Sequence, residues 1–557
     1  MKLALRRSRI VALFALPLIA VGAQTSAQHD HRMPFSHVPA ANPKAAGYAP
    51  AHQISGELLL SIQAQGSMPL ENPQGITGWY GYQNDTASPT TPALPQMVPA
   101  SLATPTEAQK TEPDKNTYLV LDHQTGADPD YDYGRRFLFQ GHEGAARDSQ
   151  RRKQGYITRI NLDADTRHRV TLMATTDMNG VPLDTIDGST WDPFAQRLLF
   201  TTEDQNGPTY AATVNFPSQV EDVSGALGRG GYEGIQNDSD GNIWIVEDIG
   251  GATKPGTTAR IPNSFIYRYV PRTPGDLHNG KLQVLQVLNA GHPVTFESQT
   301  PLCAPDQVAL RTYGRSFPTR WVTIHDTAVQ GNAPFNANVL AKAAQGTPFK
   351  RPENGVFRPG TGFREFYFSE TGDTNATSPE NGGTPPVGCT AGGWTSIFKL
   401  VQRDPSANEG VLSLFYEGDQ EHAGFDNIQF FNRDILLVVE DAGDTLHTQR
   451  NALDSGYALD VRVDYSRGAQ PVRWLAEGRD PSATIDSANA GFGKNDGDNE
   501  ITGIHVSDGD PSRHGILGAK IPHPFHDGWR VFWTQQHGDN ITWEVLPVRR
   551  ESDDDRD

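Results

Sequence analysis

RRFLFQGHE at Arg135–Glu143, QRLLFTTED at Gln196–Asp204, GNIWIVED at Gly241–Asp248, REFYFSETGD at Arg364–Asp373, RDILLVVED at Arg433–Asp441 and WRVFWTQQHGD at Trp529–Asp539 are versions of one phrase. Each opens on a polar or glycine turn, runs through a few apolar or aromatic residues, and closes on an acid or a histidine. A continuous apolar run in so short a strand means burial on both faces, the condition of a strand between two neighbouring sheets. Gly, Pro, Asn and Asp punctuate many further short β-type runs, and convincing amphipathic helices are few. The chain is therefore expected to be all-β. The recurrence predicts a six-bladed β-propeller, within the usual range of about four to eight blades. A β-sandwich would account for the strands, but not for the same strand end being acidic each time. The copies are unevenly spaced, so long loop insertions are expected, chiefly at Gly250–Gln345 and Thr374–Gly393.

Outside the repeats the chain changes character. Met1–Arg9 is basic, and Ile10–Ala23 is an apolar stretch with a small-residue exit. That stretch is too short and wrongly flanked for a membrane span, so residues 1–27 read as a signal peptide. The expected location is exported, periplasmic or secreted. Arg6-Arg7 lacks the apolar residues that usually follow a twin-arginine pair, and an ordinary secretory signal fits as well. Residues 28–115 are rich in Pro, Ala, Ser and Gln and read as an N-terminal extended arm or linker, with one short helix at Ile54–Gln63. The propeller domain is expected over 116–550, and 551–557 (ESDDDRD) reads as a solvated acidic tail.

The formal net charge of −19 argues against a nucleic-acid partner, which needs a basic surface. No later segment is long and apolar enough for a membrane span. The two cysteines, Cys303 and Cys389, lie in loop-like sequence. They can pair as a disulfide in an oxidising compartment or stay as separate thiols.

In a propeller, equivalent strand ends meet at one mouth. Glu143, Glu203, Glu247, Asp248, Glu370, Asp373, Glu440 and Asp441 are therefore expected to face a common funnel. Carboxylates crowded together repel unless protons or cations neutralise them. All-oxygen ligands suit hard ions such as calcium or ferric iron. Taken singly, each acid is a turn residue capping backbone N–H groups; as a set they point to metal. Asn237–Asn242 (NDSDGN) resembles part of a calcium loop but lacks its terminal Glu, and reads as a turn. Asn495–Glu500 (NDGDNE), with Asp496, Asp498 and Glu500 in alternation, is the better ligand candidate. No CxxC pair, HExxH, Walker loop or GxSxG is present, which weakens zincin, nucleotide-binding and serine-hydrolase readings.

Several segments, in order, resemble the PhoX family of secreted alkaline phosphatases over about Tyr118–Val548. They are Gln140–Glu143 (QGHE), LLFTTED, Tyr232–Gly234 (YEG), Arg351–Gly355 (RPENG) before Glu365–Glu370, Asp426–Ile428 before ILLVVED, Glu500–Gly503 (EITG) and Gln536–Gly538 (QHG). The resemblance implies a six-bladed propeller using calcium and iron to hydrolyse small phosphoesters. It makes Glu203, Glu233, Glu247, Asp248, Glu353, Glu440, Asp441 and Glu500 metal-ligand candidates. Arg351 and Glu353 become candidates for the catalytic machinery, Arg351 as a phosphate clamp through its planar fork. One departure stands out. Such phosphatases supply a cysteine before the double-acid strand, and Thr185–Phe194 (TIDGSTWDPF) has none. Asp187 or Asp192 would substitute there as an oxygen ligand. Two further readings stay open: a non-catalytic calcium-binding exported propeller, and a calcium-dependent lactonase or phosphotriesterase-type hydrolase. His142 and His537 are expected to be structural histidines rather than ligands.

Overall fold

A computed structural model describes residues 33–44, 51–74, 77–82, 111–147, 153–255, 257–295, 304–378, 393–478, 500–536 and 540–548. The chain divides into a unit 1–34, of which only Met33 and Pro34 are described, and a unit 35–557 that holds every element below. The expected leader, Cys303, Cys389, Asp496, Asp498, His537 and the acidic tail lie outside the described residues.

The recurring phrases form strands: Arg136–Arg147, Arg197–Thr202, Ile243–Glu247, Glu365–Glu370, Ile435–Glu440 and Arg530–Gln536. Each is the second strand of an antiparallel meander. The first strands are Pro113–Val120, Ile186–Asp192, Tyr232–Asn237, Pro352–Phe357, Phe425–Phe430 and Glu500–Ser507. Two meanders are separate four-stranded sheets, ending on Val170–Ala174 and Val220–Asp222. A third gains Gln53–Ile54 as a fifth strand beside Val472–Ala476, and the last gains Leu58–Ala64 beside Ile541–Pro547. These four sheets are arranged like propeller blades.

The remaining strands form one ten-stranded sheet. Tyr232–Asn237 and Pro352–Phe357 lie at its two ends, and Ser316–Asp326 joins its halves by pairing with Gly280–Asn289 and Glu409–Glu417. The two end strands also lie against each other, so this sheet nearly closes on itself. The long insertion after Gly250 therefore contributes strands to this sheet, Ile266–Pro271, Gly280–Asn289 and Ser316–Asp326, and carries short helices at Pro305–Leu310 and Ala337–Ala343.

The first strands make a ring: each lies against the next, and Glu500–Ser507 lies against Pro113–Val120. Aromatic and aliphatic side chains fill the spaces between sheets, as the apolar phrases require. Leu119, Phe137 and Ile157 pack with Ile186, Leu198 and Phe200, and Val356 and Tyr367 pack with Phe425, Leu436 and Val438.

The expected helix at Ile54–Gln63 is not formed. Leu58–Ala64 is a strand because the last meander offers an open edge, whose unpaired backbone groups outweigh local propensity.

Candidate metal centre

The first strands carry the acids that matter here. Each of five has an acid at its second position: Asp114, Asp187, Glu233, Glu353 and Asp426. Pairing with the second strand slips at these acids. Pro352 opposes Glu370 and Gly355 opposes Phe368, which leaves Glu353 and Asn354 facing a single residue. The same irregularity spans Pro113/Asn116, Tyr232/Ile235 and Phe425/Ile428, and it falls opposite Asp187-Gly188 in the second sheet. A β-bulge turns a side chain out of the regular alternation, here toward the ring's axis. Glycine helps the ring close: a Cβ on Gly188 would fall 1.8 Å from the Glu233 carbonyl oxygen. Hydroxyls on the preceding sheet hold the acids' backbone, with Thr201 Oγ1 donating to Glu233 O at 2.7 Å and Ser369 Oγ to Asp426 O at 2.6 Å.

The result is three carboxylate groups: Asp114–Asp187–Glu233, Glu233–Glu353–Asp426 and Glu143–Asp187–Glu203. Within each, one oxygen per residue lies within 4.8 Å of the others. All but Glu203 are buried. Burial, then mutual repulsion, pushes the Asp114 carboxyl up to about 7 and Asp426 up to about 8. Asp187, Glu233, Glu353 and Glu500 are driven well above the carboxylate range for the same reasons. Asp187 Oδ1 and Asn427 Oδ1 are buried acceptors with no hydrogen-bond partner. A buried oxygen without a donor is costly, and a hard cation would satisfy it. These all-oxygen groups fit such an ion.

Arg351 lies in the same mouth, about one-fifth exposed. Its Nε and Nη2 are each 3.2 Å from Asp248 Oδ2, and Nη2 is 3.5 Å from Glu353 and 4.0 Å from Asp441. Burial lowers its pKa, but these carboxylates prevail and raise it well above the usual arginine value. Its φ of 51° is left-handed, where Gly424 (φ 68°) occupies the matching place before Asp426. A glycine would be cheaper there, so the arginine is kept for its side chain.

The structure divides the acids that the sequence assigned to the mouth. Glu203, Glu233 and Glu353 lie in the carboxylate groups; Asp248 and Asp441 hold Arg351; Glu500 is near enough to Asp441, Asp426 and Asp114 to be repelled by them. Glu247 instead accepts bonds from Phe265 N, Tyr267 Oη and Asn338 Nδ2, each at 3.0 Å. Glu440 is bound by Arg450, Ala423 N and Ser455 N. Glu370 pairs with Arg311 in full burial, and Asp373 pairs with Lys350. His142 bonds to Thr111 and Thr158 inside the first sheet, and burial depresses it to about 3. Asp187 is the acid in the segment without cysteine that faces the axis; Asp192 caps the Phe194 and Ala195 N–H groups. Asp114 and Asp426 were not singled out as ligands from sequence. Asp426 shares a signal with Asp187, Glu233 and Glu353, an acid followed by Gly or Asn just before each phrase (IDGSTW, YEGIQN, PENGVF, FDNIQF), whereas Asp114 is followed by Lys115 and lacks it.

Beside Glu203 opens a cleft of about 780 Å³, lined among others by Thr185, Asp204, Tyr210 and Arg229. It gives solvent and small molecules a route to the group Glu143–Asp187–Glu203.

No family model and no curated protein matches the chain. Among solved structures, PhoX of Pseudomonas fluorescens, in complex with the transition-state analogue vanadate, is similar at a TM-score of 0.51 and 11% identity. That match covers 92% of this chain and 98% of that one. The chain shares the β-propeller fold. A gluconolactonase from Xanthomonas campestris matches at a TM-score of 0.31 and 12% identity, over 78% of this chain and 98% of that one. Among the described residues no helix is long and apolar enough to cross a membrane.

Proposed function

We propose that this chain is an exported, metal-dependent phosphoric-ester hydrolase on a six-bladed propeller, the ten-stranded sheet counting as two blades. Buried acids from successive first strands, gathered around one axis with Arg351 beside them, carry this reading. The PhoX likeness supports it through the shared fold. Calcium is the favoured ion, because the groups offer only oxygen; iron is the second candidate, with Asp187 where a thiolate would otherwise be supplied. A bound hard cation would polarise the phosphoryl group and lower the pKa of a water. The chain's own residues do the rest. Glu203, Glu233 and Asp187 provide anionic oxygens, Glu353 and Asp248 orient Arg351, and the Arg351 fork matches the geometry of phosphate oxygens. Access through the cleft beside Glu203 suits a small substrate.

The test is phosphate release from a panel of simple mono- and diesters. Chelator should abolish it, and Arg351→Ala or Glu353→Gln should lower it by roughly 100-fold or more. Metal-replete protein that turns over none of the panel contradicts the reading. One observation favours a second reading, hydrolysis of lactones or phosphotriesters. Asp248, Glu353 and Asp441 already neutralise Arg351, which leaves a field less hostile to neutral esters than to dianions. Turnover of neutral esters with phosphomonoesters untouched would select it.

A further inference from the structure

Lys115 follows Asp114 in the bulge of the first strand Pro113–Val120 and is 5% exposed. Its Nζ donates to Asn354 Oδ1. Asn354 belongs to Pro352–Phe357, three places around the ring and therefore opposite. The lysine thus crosses the axis. Burial lowers the Lys115 pKa, and the acids that oppose this and favour its charge are Asp426, Glu233, Asp114 and Asp187, drawn from four different first strands. His505 lies near it, and the ring nitrogen Nε2 accepts the Tyr118 N–H, so the imidazole adds no proton-borne charge at that atom.

Two of the three carboxylate groups contain these neighbours. Asp114–Asp187–Glu233 consists of them entirely, and Glu233–Glu353–Asp426 shares two. A divalent ion in either would sit beside the lysine in a site closed to water, where like charges are poorly screened. The third group, Glu143–Asp187–Glu203, draws Glu143 and Glu203 from second-strand ends. It is also the one whose Glu203 lines the open cleft.

We propose that Lys115 is a protein-borne cation fixed on the propeller axis, which takes the place of a metal in the two inner carboxylate groups and directs the divalent ion to Glu143–Asp187–Glu203. The lysine then sets both the number of ions and their position next to the cleft. The inference rests on the metal-binding part of the function proposed above.

The experiment compares wild type, Lys115→Met, Lys115→Gln and Lys115→Arg after equilibration with calcium chloride and desalting, with bound calcium counted by elemental analysis. The two neutral variants should each hold one more calcium ion per chain than wild type, and Lys115→Arg the same number. Equal or lower counts in the neutral variants overturn the inference. Calcium in wild type with no gain in the variants sinks the inference and leaves the metal reading intact. A gain in the variants with none in wild type overturns the inference too, because wild type then holds no ion at Glu143–Asp187–Glu203. Should the neutral variants fail to fold, Glu203→Gln and Asp426→Asn decide the matter in the Lys115 background. Glu203→Gln should weaken calcium binding by ~10-fold or more, and Asp426→Asn by less than ~2-fold. The opposite order overturns the assignment.

Discussion

The acids at the ends of the second strands and those in the bulges of the first strands look alike in sequence but meet different surroundings. Glu370 closes a two-pronged pair with Arg311, Glu440 one with Arg450, and Glu247 is ringed by a phenol, an amide and a backbone N–H. Glu370 and Glu440 are satisfied by these donors, whereas on Glu247 all three bonds fall on Oε2 and Oε1 is buried without one. Asp187, Glu233 and Asp426 face other carboxylates across an axis, and their shared remedy is protons, Lys115 or a bound cation. Repetition of an acid therefore does not mark a site. What marks it is the convergence of several such acids on one another.

Breaking the second-strand set should cost the most stability. Glu370→Gln strands the buried Arg311 guanidinium, and loss of one partner of such a pair costs about 3–5 kcal/mol. Urea unfolding should show this, with the metal content of the folded fraction unchanged. Breaking the first-strand set should do the opposite. Asp187→Asn removes one member of a repelling group, so metal-free stability should hold or rise while metal affinity falls by roughly 100-fold. Calorimetric titration with calcium checks both halves.

Burial raises acids of both sets, Glu247 up to about 8 among the second strands, and the first-strand acids repel one another as well. Unfolded carboxyls ionise near about 4, whereas Asp114 and Asp426 hold their protons to about 7 and 8 in the metal-free fold. The folded state therefore binds more protons over that window, and metal-free stability falls as pH rises through it. Each unit of elevation corresponds to about 1.4 kcal/mol. Melting temperature should drop from about pH 5 to about pH 8 in chelator and drop far less in excess calcium, which favours the ionised forms. A flat profile in chelator would remove the mutual repulsion from the account. The smallest effect is expected for Arg351→Gly. Its left-handed backbone suits glycine, offsetting the lost ion pairs, so stability should change by less than about 1 kcal/mol while phosphoester turnover is lost.

Much of the fold was legible because burial on both faces writes itself into strand composition. IWIVE and ILLVVE read as sandwiched strands, and they are. The N-terminal strand Leu58–Ala64 was not legible, since what makes it β is an edge nearly five hundred residues away in sequence, at Ile541–Pro547. The site was half legible. Glu233 and Glu353 stood out through YEG and RPENG, but an acid's partner is a tertiary fact. Nothing around VVED announces that Arg450 reaches back to Glu440, and nothing in PDKN announces that Lys115 crosses to Asn354.

The central claim is that acids converging on one another around Asp187, and not second-strand acids such as Glu247 that are bonded within their own sheet, hold hard cations. The most direct test is elemental analysis of wild type, Asp187→Asn and Glu247→Gln, purified without added metal. The account predicts stoichiometric calcium, with or without iron, in wild type and Glu247→Gln, and its loss in Asp187→Asn. A folded wild type free of metal even after calcium is supplied, or equal loss in both variants, would contradict it.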